Sequence, residues 1–177
     1  KEYKEQLSIE EREEYLVSMT RYYNSALRYD LKDPYVNRRS ALISIDLISI
    51  LSEKSTDASD QEKEAILSEV SIWKNSAIDL SKQAITTSPL TYANWNTRAN
   101  VYLSLISLGY TDYSEDALNS LQNCVNINPL DYDAYYKAAQ IFMIKEDYNK
   151  ALNSFTKVLS INGQHIPSLE IGRASCR

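Results

Sequence analysis

Residues 131–163 read DYDAYYKAAQIFMIKEDYNKALNSFTKVLSING, and the spacing of their apolar side chains decides the fold. Tyr135, Ala138, Ala139 and Phe142 fall at i, i+3, i+4 and i+7, one stripe of an α-helix. After the polar break Lys145-Glu146-Asp147, a second stripe runs Tyr148, Ala151, Phe155, Val158 and Leu159. The alanines let two helix axes approach closely while the aromatics fill the space around them. The stretch therefore predicts two amphipathic helices folded into a hairpin.

The same order of large and small positions recurs upstream. From Pro129, Tyr135 stands six residues on, Ala138 and Ala139 nine and ten on, and Phe142 thirteen on. From Pro89, Trp95, Ala99 and Tyr102 repeat this first half, and Ala117, Leu121, Cys124 and Pro129 repeat the second after about six inserted residues. These motifs resemble the tetratricopeptide repeat, whose period is about 34 residues. The resemblance implies an all-α, right-handed superhelical solenoid of antiparallel helix hairpins, one hairpin lengthened and one carrying an inserted loop. Each hairpin cannot bury its apolar face alone, so the stack is the fold, with one continuous apolar spine expected through it.

Composition agrees with a helical chain. With 177 residues, 44% of them apolar, it can bury one substantial core, and three Gly and four Pro leave helices few interruptions. No alternating run bounded by Asn-Gly or Asp-Gly turns suggests strands. The longest apolar run, residues 41–51, is broken by Ser44, Asp46 and Ser49 and falls short of the roughly 18 residues of a membrane span. A net charge of −5, with Lys and Arg dispersed, argues against a nucleic-acid partner, since phosphate binding needs clustered cations. The one basic pair, Arg38-Arg39, reads as a solvated helix face.

Both ends carry an expectation. The chain opens on Lys1 without Met or a signal-peptide pattern, and residues 170–177, EIGRASCR, read as a translated sequencing adaptor. The expected layout is thus a single domain over residues 1–169, cut from a longer reading frame, with a non-native tail at 170–177. Cys124 is then the one native thiol, and it decides nothing about redox compartment.

In chain order, residues 1–7 are polar and expected to fray. Ser8 and Glu11 have capping-box spacing, opening a helix with the stripe Tyr15, Met19, Tyr22, Tyr23 and Ala26. Its end aligns with the stretch before Pro129, so residues 8–33 read as the end of a first repeat. Residues 34–88 form a stretched repeat, with helices at about 35–52 and, after a Ser59/Glu62 capping box, about 60–86. The second of these carries Ile66, Val70, Trp73, Ala77, Leu80 and Ala84 on one stripe. Residues 89–128 hold a first helix at about 92–108, Gly109 as a left-handed stop, a loop at 110–113, and a helix at 115–126 capped by Ser114. Residues 129–163 form the regular repeat, and 164–169 begin a truncated one at His165-Ile166-Pro167.

No catalytic constellation emerges, and the chain reads as a non-enzyme without cofactor or metal. His165 has no acid or nucleophile near it in sequence and reads as a surface residue. Short-spaced Cys and His ligands and glycine-rich phosphate loops are missing. Cys124 falls at a small inward position and reads as inert core. Acidic runs such as Glu10-Glu11 and Glu13-Glu14 suit helix starts.

What the pattern offers instead is a surface. In tetratricopeptide arrays partner peptides lie in the groove lined by the first helices. Here that face would carry Asn96, Asn100, Ser104, Tyr136, Lys137, Gln140 and Met143 beside the core stripe. Asn and Gln amides can pair with an extended backbone, Tyr offers amphipathic area, and Lys137 could meet a carboxylate. The basic carboxylate clamp of chaperone-adaptor repeats is not matched, because Thr97 and Asp133 occupy its positions.

A narrower resemblance spans residues 33–169. The pattern SPxxxANWxxRAxVYxxL, at Ser88–Leu105, is similar to the C-terminal repeat region of O-antigen-ligase-like bacterial membrane proteins. It implies a non-catalytic protein-interaction scaffold on the extracytoplasmic face of the envelope, joined to membrane only through a missing upstream segment. A free-standing cytoplasmic adaptor and a carbohydrate-handling helical domain are the alternatives.

Overall fold

The computed structural model describes residues 7–30, 32–165 and 167–168. Among these residues the chain is helical throughout, running α1 (Ile9–Tyr29), α2 (Pro34–Lys54), α3 (Asp60–Thr87), α4 (Tyr92–Ser107), a 3-10 turn (Thr111–Tyr113), α5 (Ser114–Ile127), α6 (Tyr132–Ile144) and α7 (Tyr148–Ile161). Helix α2 folds against α3, α4 against α5 and α6 against α7, and each later pair packs on the one before it.

The local signals for the helix starts are realised in side-chain bonds. The Ser8 N–H donates to Glu11 Oε2 at 2.8 Å, and the Glu11 N–H donates to Ser8 Oγ at 3.2 Å. The Ser59 N–H donates to Glu62 Oε2 at 2.8 Å. Asp33, Asp131 and Asp147 cap α2, α6 and α7 by accepting from first-turn N–H groups. Gly109 ends the α4 segment with φ +96°, where any side chain would be strained.

The long second hairpin owes its length to its helices, which run to 21 and 28 residues against 13 and 14 in the last pair. Helix α2 is buried almost all round, with Ala41, Ile48, Leu47 and Leu51 sealed, because α1, α3 and α4 all lie against it.

Several expectations need correction. The apolar spine is not single but forms three clusters. One spans α2 to α6, a second joins α1 to α2 with Trp73 shared between them, and Ala139, Ala151 and Phe155 make a third inside the last hairpin. The reason lies in α6, whose Ala134 and Ile141 face backward to the larger cluster while Ala139 faces forward to α7. On α1 the expected Met19, Tyr23 and Ala26 do face the core, together with Leu16, but Tyr15 and Tyr22 of the expected stripe are exposed. Tyr148 is likewise exposed at the start of α7. Ser114 does not cap α5. Its hydroxyl donates to the Thr111 carbonyl at 2.6 Å, tying the helix to the 3-10 turn that fills the expected loop. The fraying of residues 1–6, Ile166 and Leu169 of the truncated repeat begun at His165, and the tail 170–177 lie outside the described residues.

Candidate functional site

The candidate surface lies on α4 and α6, the first helices of the last two pairs. On α4, Asn96, Asn100 and Ser104 recur every four residues and are half-buried. Lys137 of α6 reaches across to them, donating from Nζ to Asn96 Oδ1 at 3.3 Å while pairing with Asp133 at 2.6 Å one turn back on its own helix. The structure therefore brings Asn96 and Lys137 together as neighbours on consecutive first helices. The half-buried Asn100 side chain makes no hydrogen bond among the described residues. Gln140 and Met143 continue the α6 side of the face and are exposed.

Tyr136 is placed differently. Its ring lies 6.0 Å from that of Phe155 and 4.8 Å from the His165 imidazole, so it is committed to internal packing. His165 is correspondingly half-buried rather than a surface residue, set against Tyr132 and Tyr136, with Nδ1 2.9 Å from the buried Ser168 hydroxyl. Thr97 is buried and Asp133 is spent on Lys137, so neither position supplies a cation to a carboxylate ligand.

The polar residues of the Ser88–Leu105 pattern turn inward. Asn94 is fully buried, and its Nδ2 donates to the carbonyls of Ala84 and Ser88, both at 2.8 Å. The first of these closes the C-terminus of α3, where helix carbonyls lack partners. Its Oδ1 accepts from Arg38 Nη1 at 2.6 Å, which corrects the reading of Arg38 as solvated: it spans from α2 to α4. Trp95 Nε1 donates to the Pro89 carbonyl at 2.6 Å. Arg98 donates to the Ile78 carbonyl and Ser81 Oγ of α3, each at 3.2 Å, and to the Tyr102 hydroxyl one turn along α4. These bonds fix α4 on the end of α3 and so set the angle between successive hairpins. Sequence reasoning missed them because the partners are up to 56 positions apart.

A second link joins consecutive first helices at their N-terminal ends. The Tyr92 hydroxyl of α4 donates to Asp131 Oδ2, the cap of α6, at 2.6 Å. Burial, with the carboxylate added, holds the Tyr92 proton well above the usual phenol range. Cys124 is buried beside it, and desolvation pushes its thiol up to about 12, the opposite of what a nucleophile needs.

The chain is thus an array of antiparallel helix hairpins stacked one on the next, the solenoid architecture of tetratricopeptide-repeat proteins. It is similar in structure to MamA, with a TM-score of 0.57 at 16% identity over 86% of this chain and 72% of that one. It is also similar to TTC0263, described as a thermophilic TPR protein of Thermus thermophilus, with a TM-score of 0.50 at 15% identity over 95% and 98% of the two chains. The likeness is one of fold. No family model matches the chain, and no curated protein matches its sequence.

Proposed function

We propose that this protein is a non-catalytic scaffold that binds an extended segment of a partner protein along the face shared by α4 and α6. The observation that carries the reading is the Asn96–Lys137 contact, which makes one surface of two helices, with the Asn100 amide, unpartnered among the described residues, one turn along it. An extended peptide needs paired donors and acceptors along its backbone, and an Asn amide supplies one of each. The exposed Gln140 and Met143 extend the face with a second amide and a pliable apolar contact. Lys137 is shared between Asn96 and Asp133, so it orients the face more than it captures a ligand carboxylate.

The test is selection of peptides on the folded chain, followed by Asn100→Ala and Lys137→Ala. Both replacements should weaken the selected peptides about tenfold while leaving helicity unchanged. Peptides indifferent to both would remove this face from consideration. The likeness of the Ser88–Leu105 pattern to O-antigen-ligase-like proteins supports attachment to an envelope polysaccharide protein, with the scaffold outside the cytoplasm. Sequencing the gene upstream of the codon for Lys1 tests that attachment: a frame that encodes no membrane-spanning segments would refute it.

A further inference from the structure

Helix α1 carries an exposed row that the groove does not use. Tyr15, Tyr22 and Tyr29 stand seven residues apart and are 52%, 67% and 94% exposed. Ser18 and Ser25 alternate with them on the same face, so large and small side chains interleave along nearly the whole helix. The serine hydroxyls are turned back onto their own helix, donating to the Tyr15 carbonyl at 2.7 Å and the Arg21 carbonyl at 3.0 Å. They therefore present small, internally satisfied sites to anything that docks. The Tyr22 ring is held edge-on against the buried Tyr23, with centroids 5.3 Å apart.

Two features identify the occupant. The first argues against another hairpin helix of the ordinary kind. Tyr22 and Tyr29 fall where α5, aligned on Asn24-Ser25 against Asn119-Ser120, has Ala117 and Cys124 sealed against α4. Phenol rings at those places keep a partner axis from the close approach that alanine and cysteine allow. The second is that the row complements itself when reversed. Placed antiparallel about a twofold axis near Thr20, Tyr15 meets Ser25 of a second copy, Tyr22 meets Ser18, and Glu14 lies beside Arg28. Glu14 and Arg28 are exposed and have no ion-pair partner among the described residues, whereas Glu13 on the inner side is taken by Lys54. Arg21 comes near its own copy at the axis, a like-charge contact that the two Glu14–Arg28 pairs must outweigh.

We infer that α1 is a self-association surface, pairing antiparallel with α1 of a second copy of this chain through interleaved Tyr and Ser and two Glu14–Arg28 ion pairs. The symmetry is that of an isologous dimer, in which each patch is its own partner. A single helix pair buries less than a standard interface, so the dimer is concentration-dependent rather than obligate. Its anchors are tyrosines, and its charges set direction.

Sedimentation velocity on the whole chain over a concentration series tests this directly. Reversible dimerisation is expected, and Glu14→Arg or Arg28→Glu alone should raise the dissociation constant at least tenfold by placing like charges together. The double variant E14R/R28E restores opposite charges across the axis and should return the constant to near the original. Tyr22→Glu should abolish the dimer, with helicity preserved in every variant. A chain that stays monomeric throughout the series overturns the inference. So does a dimer indifferent to the single reversals, or one the double reversal fails to restore.

Discussion

Replacing Asn94 with alanine should destabilise the protein by about 3 kcal/mol. The amide makes three hydrogen bonds, two to the carbonyls of Ala84 and Ser88 and one from the Arg38 guanidinium, and the side chain is fully buried. Neutral bonds contribute about 1 kcal/mol each and those to charged groups about 1.5–3. The Ala84 carbonyl keeps its bond from the Ser88 N–H, and half-buried Arg38 can reach water, so the total falls just below the sum of about 3.5–5 kcal/mol. For a chain of this size each 1 kcal/mol is worth roughly 2–4 °C, predicting a loss of about 6–12 °C in melting temperature. Urea unfolding followed by circular dichroism gives the free energy. A double-mutant cycle with Arg38→Ala isolates the charged bond, whose coupling should be about 1.5 kcal/mol. A cost under about 1 kcal/mol, or zero coupling to Arg38, would refute the idea that this residue locks α4 onto α3 and α2.

Phe155→Ala empties the centre of the last hairpin and should cost about 3–5 kcal/mol, with amide exchange accelerated in α6 and α7 before α2. Gly109→Ala has open space around the new Cβ, so its cost of about 1 kcal/mol in urea unfolding should come from backbone strain alone. Cys124 holds its proton more tightly folded than unfolded, so it stabilises the fold fully below the unfolded thiol's pKa of about 8.5. That contribution is lost as pH rises toward about 12, and Tyr92 acts in the same direction at higher pH. Urea midpoints should therefore fall between about pH 8.5 and 11, less steeply in Cys124→Ala; an unchanged slope in the variant would count against a buried thiol. In a Cys176→Ala background, Cys124 should resist iodoacetamide at about pH 8 until the chain is unfolded.

The hairpins can be read from the sequence because each depends on spacing within a dozen or so residues. Ala138, Ala151 and Phe155, the two capping boxes and the Gly109 stop are local signals with local causes. On α1 the core positions Met19, Tyr23 and Ala26 are legible while Tyr15 and Tyr22 mislead, because tyrosine serves either side and marks as good a stripe as Leu16 until packing chooses. Tyr136 belongs to the groove by sequence and to Phe155 in the structure for a similar reason, since α6 has apolar neighbours on two sides. Arg38, Asn94 and Arg98 are illegible in advance because hydrogen bonds between distant helices leave no periodic trace.

The cluster of Ala139, Ala151 and Phe155 touches little beyond its own two helices, and this has a bearing on how such a chain lengthens. A duplicated copy of residues 131–163 would bring a finished interior with it, asking of its host only a surface like the one α6 already presents backward to α5. Growth by whole units then needs no rebuilding upstream, while inserting half a unit would leave an apolar flank in water.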